Sequence, residues 1–487
     1  MKRSSELSFC VIDTETTGLS RFYDSVLDLK AEIRDSADFS LIASFSGQAR
    51  PPYYFLPHPS ALLANNFPLN SLITCPSERE LLSDFYKFLA DHGPLKIWAH
   101  NACFDFNMIS NGNYRNLACS DLYQMKTSGN QLLCSLELVR MIGFIDPNCG
   151  LIFPTSDNGN FTFRLEDLCD ANGIEHVSSH TAAGDVSALV ELLILIKKLS
   201  PKSFELSLSN SSKQQSLKNI FSQAYFLALI QARGSYDLRP LAPIAFNKNK
   251  TQLFCADLSE IDLRSLPNKE NMPSLLRSKS LLRSSGFCML PINQCKIILS
   301  EEFHKYLKCG GSRKLFWKKA SFLRRNHSLR ESYLYSESFN ADFSSEQSTI
   351  ETQIYDGFFS PIERKFINAF NAVPENSLSD LLVHYDRILP RKRLISLANR
   401  ILAENYPQNL SASQIESYFD WCINRLYNSI TSDHSARPWL THHKAMAEIS
   451  DLKRKFPNQL LKIMEIEDFY KKRKSMLNPA IALAHSL

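Results

Sequence analysis

Phe9-Cys10-Val11-Ile12 runs directly into Asp13-Thr14-Glu15, and Thr16-Thr17-Gly18 follows. A short apolar run closed by a turn reads as a buried strand. On a strand, residues i and i+2 point the same way, so Asp13 and Glu15 share one face. Two like charges at the end of a buried strand are unfavourable unless a cation lies between them. A hard divalent metal with oxygen ligands is the ordinary solution. The fold must therefore bring further ligands to this strand end, and most of the chain can be read against that demand.

After the opening strand, the stretches 28–34 and 40–46 read as two more strands, which makes a three-stranded antiparallel meander. Ser77 and Glu80 form a capping-box pattern that opens a helix to about Asp91, and His92-Gly93-Pro94 stops it. Leu95 to His100 is a short apolar strand, with Asp105 at its exit. Gln131 to Gly143 reads as a helix on the spacing of Leu133, Leu136, Val139 and Arg140. Phe163 to Gly173 reads as another, with Gly173 as its cap. The run from His180 through Asp185 enters a long apolar helix to about Leu199, and Pro201 is expected to end the domain. Strands first, then helices that cover the sheet, imply an α/β domain.

At 487 residues the chain is long enough for roughly two to four domains. Boundaries are expected in the Ser/Asn/Gln-rich stretch 207–216 and in the polar stretch 336–348. Strand-like runs at 242–254 and 288–299 suggest a β-containing middle domain. Helical patterns at 381–388, 394–405, 413–427 and 445–464 suggest an all-α tail, with Ser413 and Glu416 as a further capping box. No apolar run reaches the roughly 18 residues of a membrane span. No apolar signal segment precedes the first strand, so a cytoplasmic location without membrane contact is expected. The 12 cysteines are scattered with no C-x-x-C pair, and they read as free thiols.

Charge is unevenly spread. Residues 1–200 carry 15 basic and 23 acidic side chains, whereas 264–330 carry 15 basic and 3 acidic. An acidic, metal-demanding half beside a basic segment suits a polyanionic substrate. Phe316 and Trp317 lie among Arg313, Lys314, Lys318 and Lys319. The favoured reading puts both aromatics in the core of the middle domain; the alternative stacks them on nucleic-acid bases.

The candidate catalytic set is Asp13, Glu15, Asp105, His180 and Asp185. Four converging carboxylates can hold two divalent ions about 4 Å apart, the arrangement that clamps a phosphodiester. A neighbouring histidine titrates close to neutrality and can take a proton from the attacking water. Each residue is weak evidence singly, because D-x-E at a strand end is common and His180 and Asp185 could be ordinary surface residues. The ordered pattern D-x-E, D, H-x4-D carries the weight.

Asp13 to Gly18, Asn101 to Asp105 and His180 to Asp185 resemble the three motifs of the DEDDh 3′–5′ exonuclease superfamily. Within it, Phe163 to Leu168, Ala171 to His176, Leu290 to Cys295, Ile354 to Ser360 and the helical tail from Arg400 resemble the bacterial exonuclease I (exodeoxyribonuclease I) family. The resemblance implies an RNase H-like exonuclease domain (7–200), an SH3-like, β-rich and basic middle domain (202–350) and an all-α C-terminal domain (355–487). It implies 3′–5′ hydrolysis of single-stranded DNA to nucleoside 5′-monophosphates, in DNA repair and recombination. It makes Asp13, Glu15, Asp105 and Asp185 ligands of two Mg²⁺ ions, with Mn²⁺ as a substitute, and His180 the general base. It makes Glu15, Arg164 and Arg140 substrate contacts. Its implied partners are single-stranded DNA and the acidic C-terminal tail of single-stranded DNA-binding protein, met by a monomer. The chain departs from the family at Phe106, where a second carboxylate is expected, and near Ser110, where an arginine is expected. A DEDDh RNA exonuclease and a non-catalytic nucleic-acid clamp remain alternatives at this level.

Overall fold

The computed structural model describes residues 7–65, 67–122, 124–156, 159–176, 180–232, 235–292, 294–340, 349–427 and 437–477. Its first sheet has five strands, β1 (Phe9–Thr16), β2 (Val26–Arg34), β3 (Leu41–Gln48), β4 (Lys96–Ala99) and β5 (Gln131–Cys134). They lie in the order β3-β2-β1-β4-β5. The β1/β2 and β2/β3 pairs are antiparallel and the β1/β4 and β4/β5 pairs parallel. The expected meander is present. β5 was not foreseen: Gln131–Cys134 pairs with β4, and the helix expected over 131–143 begins only at Ser135. Leu132 and Leu133 satisfy both periods over so short a run, and an available sheet edge decides between them.

The helices that accompany this sheet include α1 (Glu78–His92), α2 (Cys103–Asn116), α3 (Ser135–Ile145), α4 (Leu165–Ala171), α5 (Ala182–Leu199) and α6 (Pro201–Leu208). The Ser77/Glu80 capping box is formed at the start of α1. Pro201 does not end the chain's helical run. It occupies the first turn of α6, where a missing N–H costs nothing. Alternation along β1 divides two cores. Phe9 and Val11 pack with Val186, Leu189 and Leu193 of α5. Cys10 and Ile12 pack with Leu82 and Phe85 of α1 and with Phe106 and Ile109 of α2. Phe106 and Ser110, where the family pattern has polar groups, are both buried.

The stretch 207–216, expected to hold a boundary, runs into α7 (Lys213–Phe221). The middle region is a four-stranded antiparallel sheet, β6 (Phe226–Ala232), β7 (Ser235–Phe246), β8 (Gln252–Asp257) and β9 (Phe287–Pro291), in sequential order. The helices that cover it include α8 (Arg313–Arg325) and α9 (His327–Asn340). α9 takes up the first part of the stretch expected as a polar boundary; 341–348 lies outside the described residues.

Among the described residues the C-terminal part has helices and no strand: α10 (Pro361–Ala372), α11 (Leu378–Ile388), α12 (Arg393–Asn405), α13 (Ala412–Leu426), α14 (His442–Lys455) and α15 (Leu460–Met476). α10 is additional to the helices expected, and a Ser360/Glu363 capping box opens it. α13 is capped by Ser411 and Gln414, not by Ser413 and Glu416. The single helix expected over 445–464 is two, because Pro457 cannot continue the first. The fold is α/β, an RNase H-like domain followed by an SH3-like sheet and an all-α region. All 12 cysteines are free, and among the described residues no helix is long and apolar enough to cross a membrane.

Candidate active site

Residues 9, 11, 13 and 15 of β1 face α5. The period of two that buries Phe9 and Val11 against α5 therefore delivers Asp13 and Glu15 to the same helix. Asp185 stands in the first turn of α5, behind a Thr181 cap that accepts from the Gly184 amide at 3.1 Å. Carboxylate oxygens of Asp13, Glu15 and Asp185 all lie within 4.8 Å of one another.

Asp105 reaches the site from the other side of the sheet. It sits in the first turn of α2, not in a loop after β4. It is buried, and its Oδ1 accepts from the Thr14 hydroxyl at 2.7 Å and the Thr14 amide at 3.2 Å. Thr14 points opposite to Asp13 and Glu15, which explains why Asp105 stands just outside the tight trio.

The electrostatics are those of an acidic centre that, among the described residues, no lysine or arginine pairs with. Burial, then the charges of Asp105, Asp185, Glu15 and Asp28, push the Asp13 carboxyl well above the carboxylate range. Burial, then the charges of Asp185, Asp28 and Asp105, push Glu15 up to about 8. Asp105 is also raised by burial, against the pull of its bonds from Thr14. Asp185 is raised by burial, although His176 opposes the shift. Carboxyl groups that crowd together in this way are relieved by a divalent cation, and an all-oxygen donor set fits Mg²⁺ or Mn²⁺.

His180 is brought near but not into the trio. Its Nε2 lies 3.4 Å from Glu166, half-exposed, and its backbone has a positive φ of 63°. Arg164, at the start of α4, is largely exposed and lies 3.4 Å from Glu166 as well. Arg140 is elsewhere: its guanidinium lies 3.9 Å from the Tyr236 ring centre and 5.6 Å from that of Phe163, between the first sheet's helices and β7. His100 bridges the Ser135 hydroxyl at 2.9 Å and the Phe163 carbonyl at 2.8 Å, and burial pushes it down to about 4.

The Thr16–Gly18 turn is tightly held. Thr17 donates to Asp24 at 2.9 Å, and its carbonyl accepts from the His58 amide at 2.6 Å. A Cβ at Gly18 would come within 2.5 Å of the His58 ring, so only glycine fits.

Two residues of this site escaped the reading of the sequence. Asp28 stands opposite Glu15 on β2, is buried, and is pushed up to about 6 by that burial. A polar residue at the mouth of a strand that is otherwise buried was the available signal. The other is His176, whose Nε2 lies 2.6 Å from Asp185 Oδ1. Only the spacing of a second histidine before the H-x4-D pattern pointed to it.

Residues 348–473 match the exonuclease I C-terminal domain. Exodeoxyribonuclease I of Haemophilus influenzae is 27% identical over 457 residues, 86% of this chain and 94% of that one. Over most of its length the chain is similar to exodeoxyribonuclease I. Exodeoxyribonuclease I of Escherichia coli is 23% identical over 436 residues, covering 85% of this chain. Outside the exonuclease I family, PolC-type DNA polymerase III of Bacillus subtilis is 26% identical over 194 residues, 40% of this chain but 12% of its own. Two solved structures of the exonuclease I family share the fold. E. coli exonuclease I with a dT13 oligonucleotide has a TM-score of 0.80 at 21% identity, over 97% of this chain and 100% of that one. A complex of exonuclease I with the C-terminal peptide of the single-stranded DNA-binding protein has a TM-score of 0.79 at 21% identity, over 96% of this chain and 99% of that one.

Proposed function

We propose that this protein is a metal-dependent 3′–5′ exonuclease that degrades single-stranded DNA to nucleoside 5′-monophosphates. The observation that carries the reading is the Asp13/Glu15/Asp185 trio with Asp105 beside it, in a chain related over most of its length to exodeoxyribonuclease I. The three regions divide at about residues 200 and 350 into an exonuclease domain, a basic middle domain and a helical domain. The last two form the walls against which a strand is held.

Asp13, Glu15, Asp105 and Asp185 would hold two Mg²⁺ ions, or Mn²⁺ in their place. Two such ions supply Lewis-acid stabilisation of the attacking and leaving oxygens of a phosphodiester. Of the protein's own groups, Glu15 also meets the terminal nucleotide, against the rigid Thr16–Gly18 turn. Arg164 is free enough in solvent to leave Glu166 for a phosphate, and a guanidinium suits that role. His180 turns from Glu166 to the attacking water and takes its proton on Nε2. Arg140, stacked on Tyr236, contacts the strand from the seam with the middle domain. Partners of this reading are single-stranded DNA and the acidic tail of single-stranded DNA-binding protein; the protein works as a cytoplasmic monomer in repair and recombination.

The test is digestion of a 3′-labelled and a 5′-labelled single strand with Mg²⁺, with and without EDTA. The expected outcome is early release of labelled mononucleotide from the 3′ label and none in EDTA. Release from the 5′ label first, or digestion in EDTA, would overturn the reading. A matched RNA strand in the same assay separates DNA from RNA exonuclease activity.

A further inference from the structure

The H-x4-D pattern contributes two residues to the site, but a third side chain of the same segment is more tightly bound into it. His176 follows α4, where Gly173 takes a positive φ of 68° and the Ile174 amide bonds back to the Cys169 carbonyl. That return aims the imidazole inward. Its side chain is 6% exposed, and Nε2 lies 2.6 Å from Asp185 Oδ1. His180 differs on both counts: its side chain is 52% exposed and its ring faces Glu166.

We propose that His176 is a positioning residue of the metal centre, fixing the plane of the Asp185 carboxylate so that its other oxygen is presented to the cation beside Asp13 and Glu15. This rests on the metal-centre reading above. The terminal torsion of an aspartate is broad and roughly two-fold, so Asp185 alone would sample many orientations at the start of α5. A short bond to Oδ1 from a buried ring removes that freedom. His176 is read as a partner of a ligand and not as a ligand, because its inward-facing Nε2 is engaged by Asp185 Oδ1 at 2.6 Å. Nor is it placed to serve as the base, since its near nitrogen is already engaged by a ligand carboxylate. Groups that orient a metal ligand in this way typically govern metal affinity by 10- to 100-fold.

Mn²⁺ binding to the full-length protein without DNA, measured by titration calorimetry, tests the role without recourse to turnover. His176→Ala is expected to raise the Kd for Mn²⁺ by about 10- to 100-fold. His176→Gln, whose amide N–H extends to the reach of Nε2, is expected to stay within about 3-fold of the unaltered protein. His176→Asn, with a shorter reach, is expected to behave like His176→Ala, and it decides the matter with His176→Gln if the alanine variant does not fold. Equal Kd values for the asparagine, glutamine and unaltered proteins would overturn the proposal, as would a glutamine variant as weak as alanine. Asp13→Asn is the control for the centre itself. If it also binds Mn²⁺ unchanged, the metal-centre reading fails; if it loses Mn²⁺ while His176→Asn keeps it, only the positioning role fails.

Discussion

Two sets of buried carboxylates meet opposite fates in this molecule. In the C-terminal helices, Glu351 and Glu363 are almost wholly buried. Arg400 donates to Glu351 at 2.8 Å and Arg425 at 3.0 Å, while Arg391 and Arg393 pair with Glu363. Burial alone would raise both carboxyls, but the arginines outweigh it and hold them below their ordinary range. At the end of β1, Asp13, Glu15, Asp105 and Asp185 are pushed the other way. Among the described residues no lysine or arginine forms an ion pair with any of the four. A carboxylate that serves the fold comes with its cation built in. Four that are left without one store a repulsion that an incoming divalent ion relieves.

The sharpest way to break this comparison is to remove one acid from each set. Asp13→Asn or Asp185→Asn is expected to abolish hydrolysis, with a melting temperature in EDTA no lower than that of the unaltered protein. Glu351→Gln is expected to lose about 3–5 kcal/mol of stability by leaving the buried Arg425 and the partly buried Arg400 short of a partner. Well below its melting temperature it should still digest DNA. Chemical denaturation and a nuclease assay on the three variants decide this, and full activity in Asp13→Asn would dissolve the distinction.

A smaller effect is expected at His180. His180→Ala should slow turnover by about 10²-fold, the lower range for loss of a general base. The Mn²⁺ affinity measured by calorimetry should not move, because His180 faces Glu166 and not the trio. A shift in that affinity would merge it with the ligand set.

The pH dependence follows from the raised carboxyls. A carboxyl whose folded pKa exceeds its unfolded one binds protons preferentially in the folded state, so its contribution is present at low pH and lost as pH rises through the folded value. With Glu15 at about 8 and Asp13 and Asp105 raised too, the metal-free protein should lose stability between about pH 5 and pH 9. Mg²⁺ should restore more stability at pH 8.5 than at pH 5.5. Melting curves in EDTA and in Mg²⁺ across that range test it; an EDTA curve flat with pH would contradict the sign.

The smallest effect separates two neighbours on α8. Phe316 is fully buried, and Phe316→Ala should cost about 3–5 kcal/mol of stability. Trp317 is 53% exposed on the same basic helix. Trp317→Ala should leave stability alone and weaken single-stranded DNA binding by about 5-fold or more, the scale of one stacked base. Fluorescence anisotropy with a labelled oligonucleotide reads it, and an unchanged Kd would remove Trp317 from the strand's path. The core reading expected for this pair holds for Phe316 only, because one residue's step on a helix turns the side chain by about 100°.

Much of the fold was legible where a rule acts over a few residues. The Ser77/Glu80 box, the stop at Gly93-Pro94 and the meander of β1–β3 are of this kind. The misreadings share a cause. Gln131–Cys134 became a strand because β4 offered an edge to pair with. Ser411 capped α13 instead of Ser413 because two serines two residues apart satisfy the same local pattern, and packing of Ile415, Tyr418 and Phe419 selects the register.

The sequence by itself determined that Asp13 and Glu15 share a face, since a period of two leaves them no choice. It also determined that they need a cation, because two carboxylates at a buried strand end repel each other. Only the tertiary structure decided which carboxylates join them. Asp185 arrives because Val186 and Leu189 seat α5 on the face that Phe9 and Val11 present, whereas Asp105 arrives on the opposite face and is held by Thr14. It likewise decided which histidine touches Asp185. His176 and His180 are alike in composition and close in sequence, and the chain's return after Gly173 turns one inward and leaves the other to solvent. Local propensities act over one or two turns of chain, but a meeting across 170 residues depends on which faces pack.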